Sequence, residues 1–216
     1  MDTADVDRMF TQEFWDERYG TVEHLWSGQP NQRFVENVAD RTPGTALDVA
    51  CGEGADAIWL AARGWQVTAV DVSPVALGRA AEHADAAGAD IAARIAWQQA
   101  DVRSWDPAPA QFDLVSAQFM HLPSDLRVGA HQRLAAAVRP GGMLLIIGHH
   151  PSDLHSGIPR PDLPDLFFTA EDEAALLDPS DWTVDASAPE RTAVTSDNET
   201  VTIRDAVLRA VRKTTA

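Results

Sequence analysis

The chain has 216 residues, 45% of them hydrophobic and 23% charged, with one cysteine and a formal net charge of −16. This length holds one domain with a sizeable core, and the hydrophobic share is too high for a disordered chain. An excess of 33 acidic over 17 basic residues excludes long-range attraction to DNA, RNA or an anionic membrane, and the lone Cys51 forms no internal disulfide.

Residues 1–42 open the chain as an aromatic-rich extension. FWDERYGTVEHLWSGQPN is followed by a predicted helix over about Asn31–Ala39. From Pro43 to His150, strand-like and helix-like segments alternate. TALDVA (Thr45–Ala50) is a short apolar run that leads directly into Cys51-Gly52-Glu53-Gly54. Helix formers fill Ala55–Arg63, with Ile58, Ala61 and Ala62 on one face, and Gly64 stops them. QVTAVDV (Gln66–Val72) is rich in β-branched residues and predicts a second buried strand. Ser73-Pro74 then supplies a capping side chain and a first-turn proline for a helix running to about Ala87 and ending at Gly88.

Ile95–Ala100 is a third strand leading to Asp101, and FDLVSAQF (Phe112–Phe119) is a fourth. Leu126, Ala130, Leu134 and Ala137 share a helix face, until Arg139-Pro140-Gly141-Gly142 breaks the helix before a fifth strand, Met143–His150. Such alternation predicts a parallel sheet with right-handed crossovers and helices on both faces. Residues 151–169 hold four prolines and no periodicity, which predicts a long surface loop that could serve as a lid. A short acidic helix follows at Ala170–Leu177. Trp182–Arg191 and Thr200–Val211 then predict an antiparallel hairpin, turning at Thr195–Asn198 and closing the sheet edge.

In an open parallel sheet, ligands bind outside the carboxyl ends of the strands, near the topological switch point. Gly52 and Gly54, with Ala50 ahead of them, follow strand one, and their backbone can approach a ligand closely. The dinucleotide spacing G-x-G-x-x-G is incomplete, because position 57 is alanine. More informative are Asp48, Asp71 and Asp101, three acidic residues at the ends of three successive strands. They suit a pyrophosphate poorly. They suit a ligand with a cationic amine, a sulfonium, two ribose hydroxyls and an adenine. A nicotinamide-dependent oxidoreductase on the same fold stays open as an alternative.

LDVACGEG, AVDVSP, QQADV, FDLVSAQFMHL and VRPGGMLLI, in that order, resemble the class I S-adenosylmethionine-dependent methyltransferases. The N-terminal aromatic segment is similar to the small-molecule branch that includes tellurite-resistance and thiopurine methyltransferase-like enzymes. The resemblance implies an α/β fold with a Rossmann-like, doubly wound, seven-stranded and mostly parallel sheet ending in an antiparallel hairpin. It implies S-adenosylmethionine as cofactor, with Gly52 and Gly54 beside its methionine portion and Asp48 at the edge of that pocket. Asp71 would hold the ribose and Val72 pack on the adenine, whose edge Asp101 and Val102 would hold. Gln118 would lie near the sulfonium, and Trp15, Tyr19 and Trp26 would cover the cofactor and shape the acceptor pocket.

No fixed catalytic base can be matched, and the candidates are His121 after strand four and His149 and His150 at the end of strand five. His121 and His150 would also touch the acceptor. His24, His83 and His131 are expected at the surface, and the histidine spacing matches no standard metal motif. The expected activity is methyl transfer to a small-molecule thiol, metalloid or hydroxyl; a non-catalytic cofactor-binding protein is the other alternative. No partner nucleic acid or membrane is expected: no apolar run approaches the ~20 residues of a membrane helix, and the acidic start is unlike a targeting leader. The sequence thus predicts a cytoplasmic monomer or homodimer of one domain. Within it, 1–42 would form a cap, 43–150 the cofactor-binding core, 151–169 a lid and 170–216 the closing helix and hairpin.

Overall fold

A computed structural model describes residues 7–22 and 25–214. Helices α1 (Gln12–Gly20) and α2 (Gln32–Val38) precede β1 (Thr45–Val49), α3 (Ala55–Ala62), β2 (Gln66–Asp71) and α4 (Pro74–Ala87). A single helical turn, α5 (Ala89–Ala92), leads to β3 (Ile95–Gln99), β4 (Phe112–Gln118), α6 (Ser124–Ala137) and β5 (Val138–His149). The chain then runs through α7 (Ala170–Ala174), β6 (Trp182–Ser187), β7 (Glu190–Val194) and β8 (Thr200–Arg212).

The local signals act as expected where a cap or a breaker sets the boundary. Ser73 Oγ accepts the Ala76 N–H at 3.1 Å while Pro74 occupies the first turn, so α4 starts where the sequence places it. Asn31 caps α2 by accepting the Phe34 N–H at 3.1 Å. The strands pair in the order β3-β2-β1-β4-β5-β8-β6, parallel from β3 through β5 and antiparallel at β8, with β7 also paired to β8. The order reverses between β1 and β4, so the crevice for a ligand lies at their carboxyl ends. Alternate residues of β5 feed two separate cores. Leu144 and Ile146 pack with Leu134 and Phe168 on one face, and Leu145 and Ile147 with Phe34, Leu60 and Trp65 on the other.

Three expectations change. The Arg139–Gly142 stretch ends α6 as expected, but it belongs to the start of β5: the ladder jumps from Phe112↔Val138 to Leu114↔Met143, and the four residues bulge out between them. The first arm of the closing hairpin breaks into β6 and β7 around Ala188-Pro189, where proline has no N–H to give a ladder. Finally, residues 151–169 are more than a surface loop. They contain 3₁₀ turns at Pro151–His155 and Pro164–Leu166, and they bury Asp153, Leu166, Phe167 and Phe168. Proline density hides such anchors, because isolated buried side chains leave no period.

A buried ion-pair group locks this region to α6. Arg127 Nε donates to Glu173 Oε1 at 2.9 Å, and its Nη1 donates to the Leu122 and Asp165 carbonyls at 2.9 and 2.7 Å. His131 Nδ1 lies 2.5 Å from the other Glu173 oxygen. Burial pushes the Glu173 carboxyl up, but the His131 hydrogen bond and the Arg127 charge more than offset this and hold it below the usual range. His131 is therefore a buried partner and not the surface residue expected from sequence. Removing one member of a buried pair strands the other charge. Arg127→Met should therefore lower the unfolding free energy by about 3–5 kcal/mol in urea titrations, and Arg127→Met with Glu173→Leu should recover most of that loss.

Candidate active site

The carboxyl ends of β1, β2 and β4 open into a cavity of about 1200 Å3. Residues of α1 and the segment 26–33 line one side of it, and residues 158–161, Phe167 and the β7–β8 region line the other. Asp71, at the end of β2, organises the floor. Its Oδ2 accepts the Gly52 N–H at 2.8 Å and its Oδ1 accepts the Ser73 N–H at 2.9 Å, which ties the loop after β1 to the loop after β2. The Gly52 amide is thus spent on Asp71 and is not free for a ligand. Gly52 sits at φ +53°, and a Cβ there would come within 2.9 Å of the Tyr19 hydroxyl. Gly54, at φ +82°, begins α3, and its own N–H donates to the Cys51 carbonyl at 2.9 Å. Two residues without that freedom also take left-handed backbone at the crevice, Ala50 at φ +55° after β1 and Phe119 at φ +51° after β4. Each conformation costs about 1–3 kcal/mol, and such strain collects at functional sites.

The floor is strongly acidic. Asp48, Asp56 and Asp71 all line the cavity. Burial raises the carboxyls of all three, that of Asp56 to about 6, and the charge of Asp56 raises Asp48 further. Burial and the same aspartates push up the Cys51 thiol. Asp48 Oδ1 accepts a long hydrogen bond from Ser116 Oγ at 3.3 Å, whereas its buried Oδ2 has no partner among the described residues. Both polar atoms of the Gln118 amide are likewise buried and unpartnered there. Buried polar groups are normally satisfied, so orphan acceptors and an orphan amide in one acidic cavity mark a place for a polar, positively charged ligand.

The remaining predicted residues fall around this floor. Val72, Asp101 and Val102 line the cavity. Asp101 is already engaged, since Arg103 Nη2 donates to its Oδ2 at 2.6 Å and holds its carboxyl below the usual range. Trp15, Tyr19 and Trp26 roof the cavity. Trp26 Nε1 donates to the buried Tyr19 hydroxyl at 3.0 Å, although the Trp26 residue is 52% exposed.

At the far end, His121 and His149 stack with ring centroids 4.6 Å apart and planes 14° apart, between Phe119 and Phe167. Burial drives the His121 pKa down to about 4 and lowers His149 still more, and the charge of Arg160 adds to both shifts. Both rings are neutral at pH 7. His150 corrects an expectation: it does not line the cavity, because successive strand residues point to opposite faces. Its Nδ1 instead accepts the Ser152 N–H at 3.2 Å and caps the turn that follows. His83 Nδ1 sits 3.2 Å from the Glu53 carbonyl, and His24 lies outside the described residues. Among the described residues no three His, Cys, Asp or Glu side chains are grouped to hold a metal ion.

Residues 46–142 match the family model described as a methyltransferase domain. The 2-heptyl-1-hydroxyquinolin-4(1H)-one methyltransferase of Mycobacteroides abscessus is 27% identical over 176 residues, 80% of this chain and 74% of the relative. Residues 46–142 thus form a methyltransferase domain, and the chain is similar to the S-adenosylmethionine-dependent methyltransferases. Its fold is shared with a solved structure described under the conversion of a disulfide bond into a thioacetal group during echinomycin biosynthesis (TM-score 0.71, 23% identity, 94% of this chain and 92% of that one). It is also shared with TehB from Haemophilus influenzae (TM-score 0.66, 16% identity, 94% of this chain and 67% of that one).

The donor set of the methyltransferase suits S-adenosylmethionine, whose sulfonium and ammonium are positive, better than a pyrophosphate. Sequence reading missed several residues that shape this site. Glu53 Oε2 accepts the Leu25 and Trp26 N–H groups at 3.3 and 3.2 Å while Arg79 Nη1 donates to its Oε1 at 3.1 Å, which fastens the cover to the glycine loop. Ser73 Oγ donates to Asp16 at 2.6 Å, and the Asn31 N–H donates to Asp56 at 2.7 Å. The GEG motif marks Glu53 as a loop residue, but nothing local signals partners 25–57 positions away.

The stacked pair makes acid stability testable. The His121 pKa is lowered in the folded state, so the unfolded chain takes up protons first, and the pair's contribution is lost as pH falls from about 6.5 towards 4. Wild type should therefore lose on the order of 3 kcal/mol more stability than His121→Phe across that interval, measured by denaturant titration at each pH.

Proposed function

We propose that this methyltransferase transfers the methyl group to an oxygen or sulfur atom on a planar aromatic small molecule, with an aromatic hydroxyl favoured over a metalloid. The observation that carries this reading is the aromatic cluster of His121, His149, Phe119 and Phe167, whose mutually packed rings line the same cavity as the orphan Gln118 amide. Flat apolar walls of this kind gain from offset or edge contact with a ring. The Mycobacteroides relative supports the same reading, since its name specifies a hydroxyquinolone as its acceptor.

In this reading Asp71 accepts from the ribose hydroxyls with the lone pairs its two amide contacts leave over, and Val72 packs on the adenine beside Asp101 and Val102. Asp48, Ala50, Gly52 and Gly54 form the wall around the methionine portion, and the Gln118 amide faces the reacting end. Trp15, Tyr19 and Trp26 exclude water from above. Bound S-adenosylmethionine supplies a methyl group already activated on a sulfonium. The protein's task is then to align the acceptor and keep the cavity dry, and orientation of this kind contributes about 7–11 kcal/mol. His149, whose Nδ1 is taken by Arg160, offers its Nε2–H for a hydrogen bond to the acceptor oxygen, while His121, whose Nε2 accepts the His149 backbone N–H at 3.5 Å, positions that ring, roles that His150 does not share.

Calorimetry should show tight binding of S-adenosylhomocysteine by wild type, weakened ten-fold or more in Asp71→Asn. An unchanged affinity in a folded Asp71→Asn would mean the ribose is held elsewhere. With radiolabelled S-adenosylmethionine, turnover is expected on N-hydroxyquinolones, phenols or thiophenols. Turnover confined to aliphatic amines would contradict the proposed acceptor class.

A further inference from the structure

Three arginines stand at the acceptor end of the cavity, and two of them hold unused donors. Arg33, Arg160 and Arg191 all line it. Every guanidinium nitrogen of Arg33 has a partner: Nε donates to Asp205 at 3.4 Å, Nη1 to Glu36 at 2.9 Å and Nη2 to the Glu190 carbonyl at 2.5 Å. Arg191 gives only its Nε, to the two oxygens of the buried Asp205 at 2.9 and 3.0 Å, and both its Nη groups have no partner among the described residues. Arg160 gives only Nη2, which reaches Asp153 Oδ2 at 3.3 Å and His149 Nδ1 at 3.4 Å. Its Nε is buried with no partner among the described residues.

The carboxylates near these arginines already have cationic partners. Asp153 accepts from Arg160 on one oxygen and from the Arg204 N–H on the other, and His149 Nδ1 lies 3.6 Å from it. Asp205 and Glu190 also line the cavity, Asp205 paired with Arg33 and Arg191 and Glu190 paired with Arg204. Arg127, which also acts on His121, is neutralised by Glu173. Beside the stacked rings there remain the buried Arg160 Nε and the partly exposed Arg191 Nη groups, without acceptors among the described residues. A buried, unpartnered guanidinium donor is costly unless a ligand satisfies it. A guanidinium also matches an oxyanion better than a neutral hydroxyl does.

We propose that Arg160, with Arg191, forms an anion subsite that binds the acceptor in its deprotonated form, so that the enzyme selects acidic aromatic hydroxyls or thiols and needs no protein base. This rests on the acceptor reading of the preceding subsection and deepens it. The neutral imidazoles agree with it, since rings held so far below their ordinary basicity take up a proton poorly. The balance is simple. The acceptor's proton leaves to water before transfer, the anion's lone pair forms the bond to the methyl carbon, and the carbon–sulfur pair stays on sulfur.

A nitrophenol reports its own ionisation by its absorption. Titrated with wild-type protein and saturating S-adenosylhomocysteine, bound 4-nitrophenol should ionise at least one pH unit below the free compound. Arg160→Gln should return that midpoint to the free value or above and weaken binding of the anion ten-fold or more. Arg160→Lys should restore part of the shift, and Arg191→Gln gives a second variant should Arg160→Gln fold poorly. With a set of phenols of graded acidity, the acidic limb of kcat/KM should follow each acceptor's own ionisation in both wild type and His121→Phe. An unshifted or raised midpoint in wild type, or an acidic limb fixed at one pH for every acceptor, would overturn the proposal, as would failure of every ionisable aromatic to bind while S-adenosylhomocysteine binds. Failure of S-adenosylhomocysteine itself to bind would instead overturn the underlying cofactor assignment.

Discussion

The two hydrogen bonds that Asp71 accepts, from Gly52 and from Ser73, are the constraint on which the rest of the site is built. Through them a single buried carboxylate sets the separation between the first two strand–helix loops. With that separation fixed, Gly54 can begin α3, Ser73 can cap α4 and still donate to Asp16 of α1, and the Tyr19 hydroxyl can close over Gly52. The cover is therefore anchored to the same loops that would hold the cofactor. A carboxylate that accepts two amides has lone pairs to spare, so Asp71, which lines the cavity, can serve the site as well as the scaffold.

Charge is divided along the cavity by the topology of the sheet. Parallel strands β1 and β2 and the start of α3 bring Asp48, Asp71 and Asp56 together at one end, where burial raises all three carboxyls and the other two raise Asp48 further. Antiparallel β8 and its partners bring Arg33, Arg160 and Arg191 together at the other. A cation fits the first end and an anion the second. A reaction that joins an anionic nucleophile to a cationic donor is favoured electrostatically when the two are held in register, because fixed charges need no reorganisation at the moment of reaction.

The parallel half was legible in the sequence because its signals are local. Ser73-Pro74, Gly64 and Gly88 mark helix ends by their own chemistry, and the strand-end aspartates declare themselves by position alone. The acceptor half was not legible. Arg33 meets Asp205 across 172 residues, and Arg160 reaches Asp153 within a proline-rich segment that has no period. His149 and His150 are indistinguishable as letters, and only strand pleating assigns the first to the cavity and the second to a turn. His131 was misplaced at the surface for the same reason: its partner Glu173 lies 42 positions away.

The break at Ala188-Pro189 has a consequence for how this enzyme could diversify. It divides one edge of β8 between two short strands: β6 pairs with Val207–Arg212 over the core, and β7, carrying Arg191, pairs with Thr200–Arg204 beside the cavity. Insertions or sequence changes in β7 and its turn can thus redraw the acceptor wall without shifting the register of β6. The fold separates the part of that edge that must stay constant from the part that can drift, and substrate range can evolve there with little cost to folding.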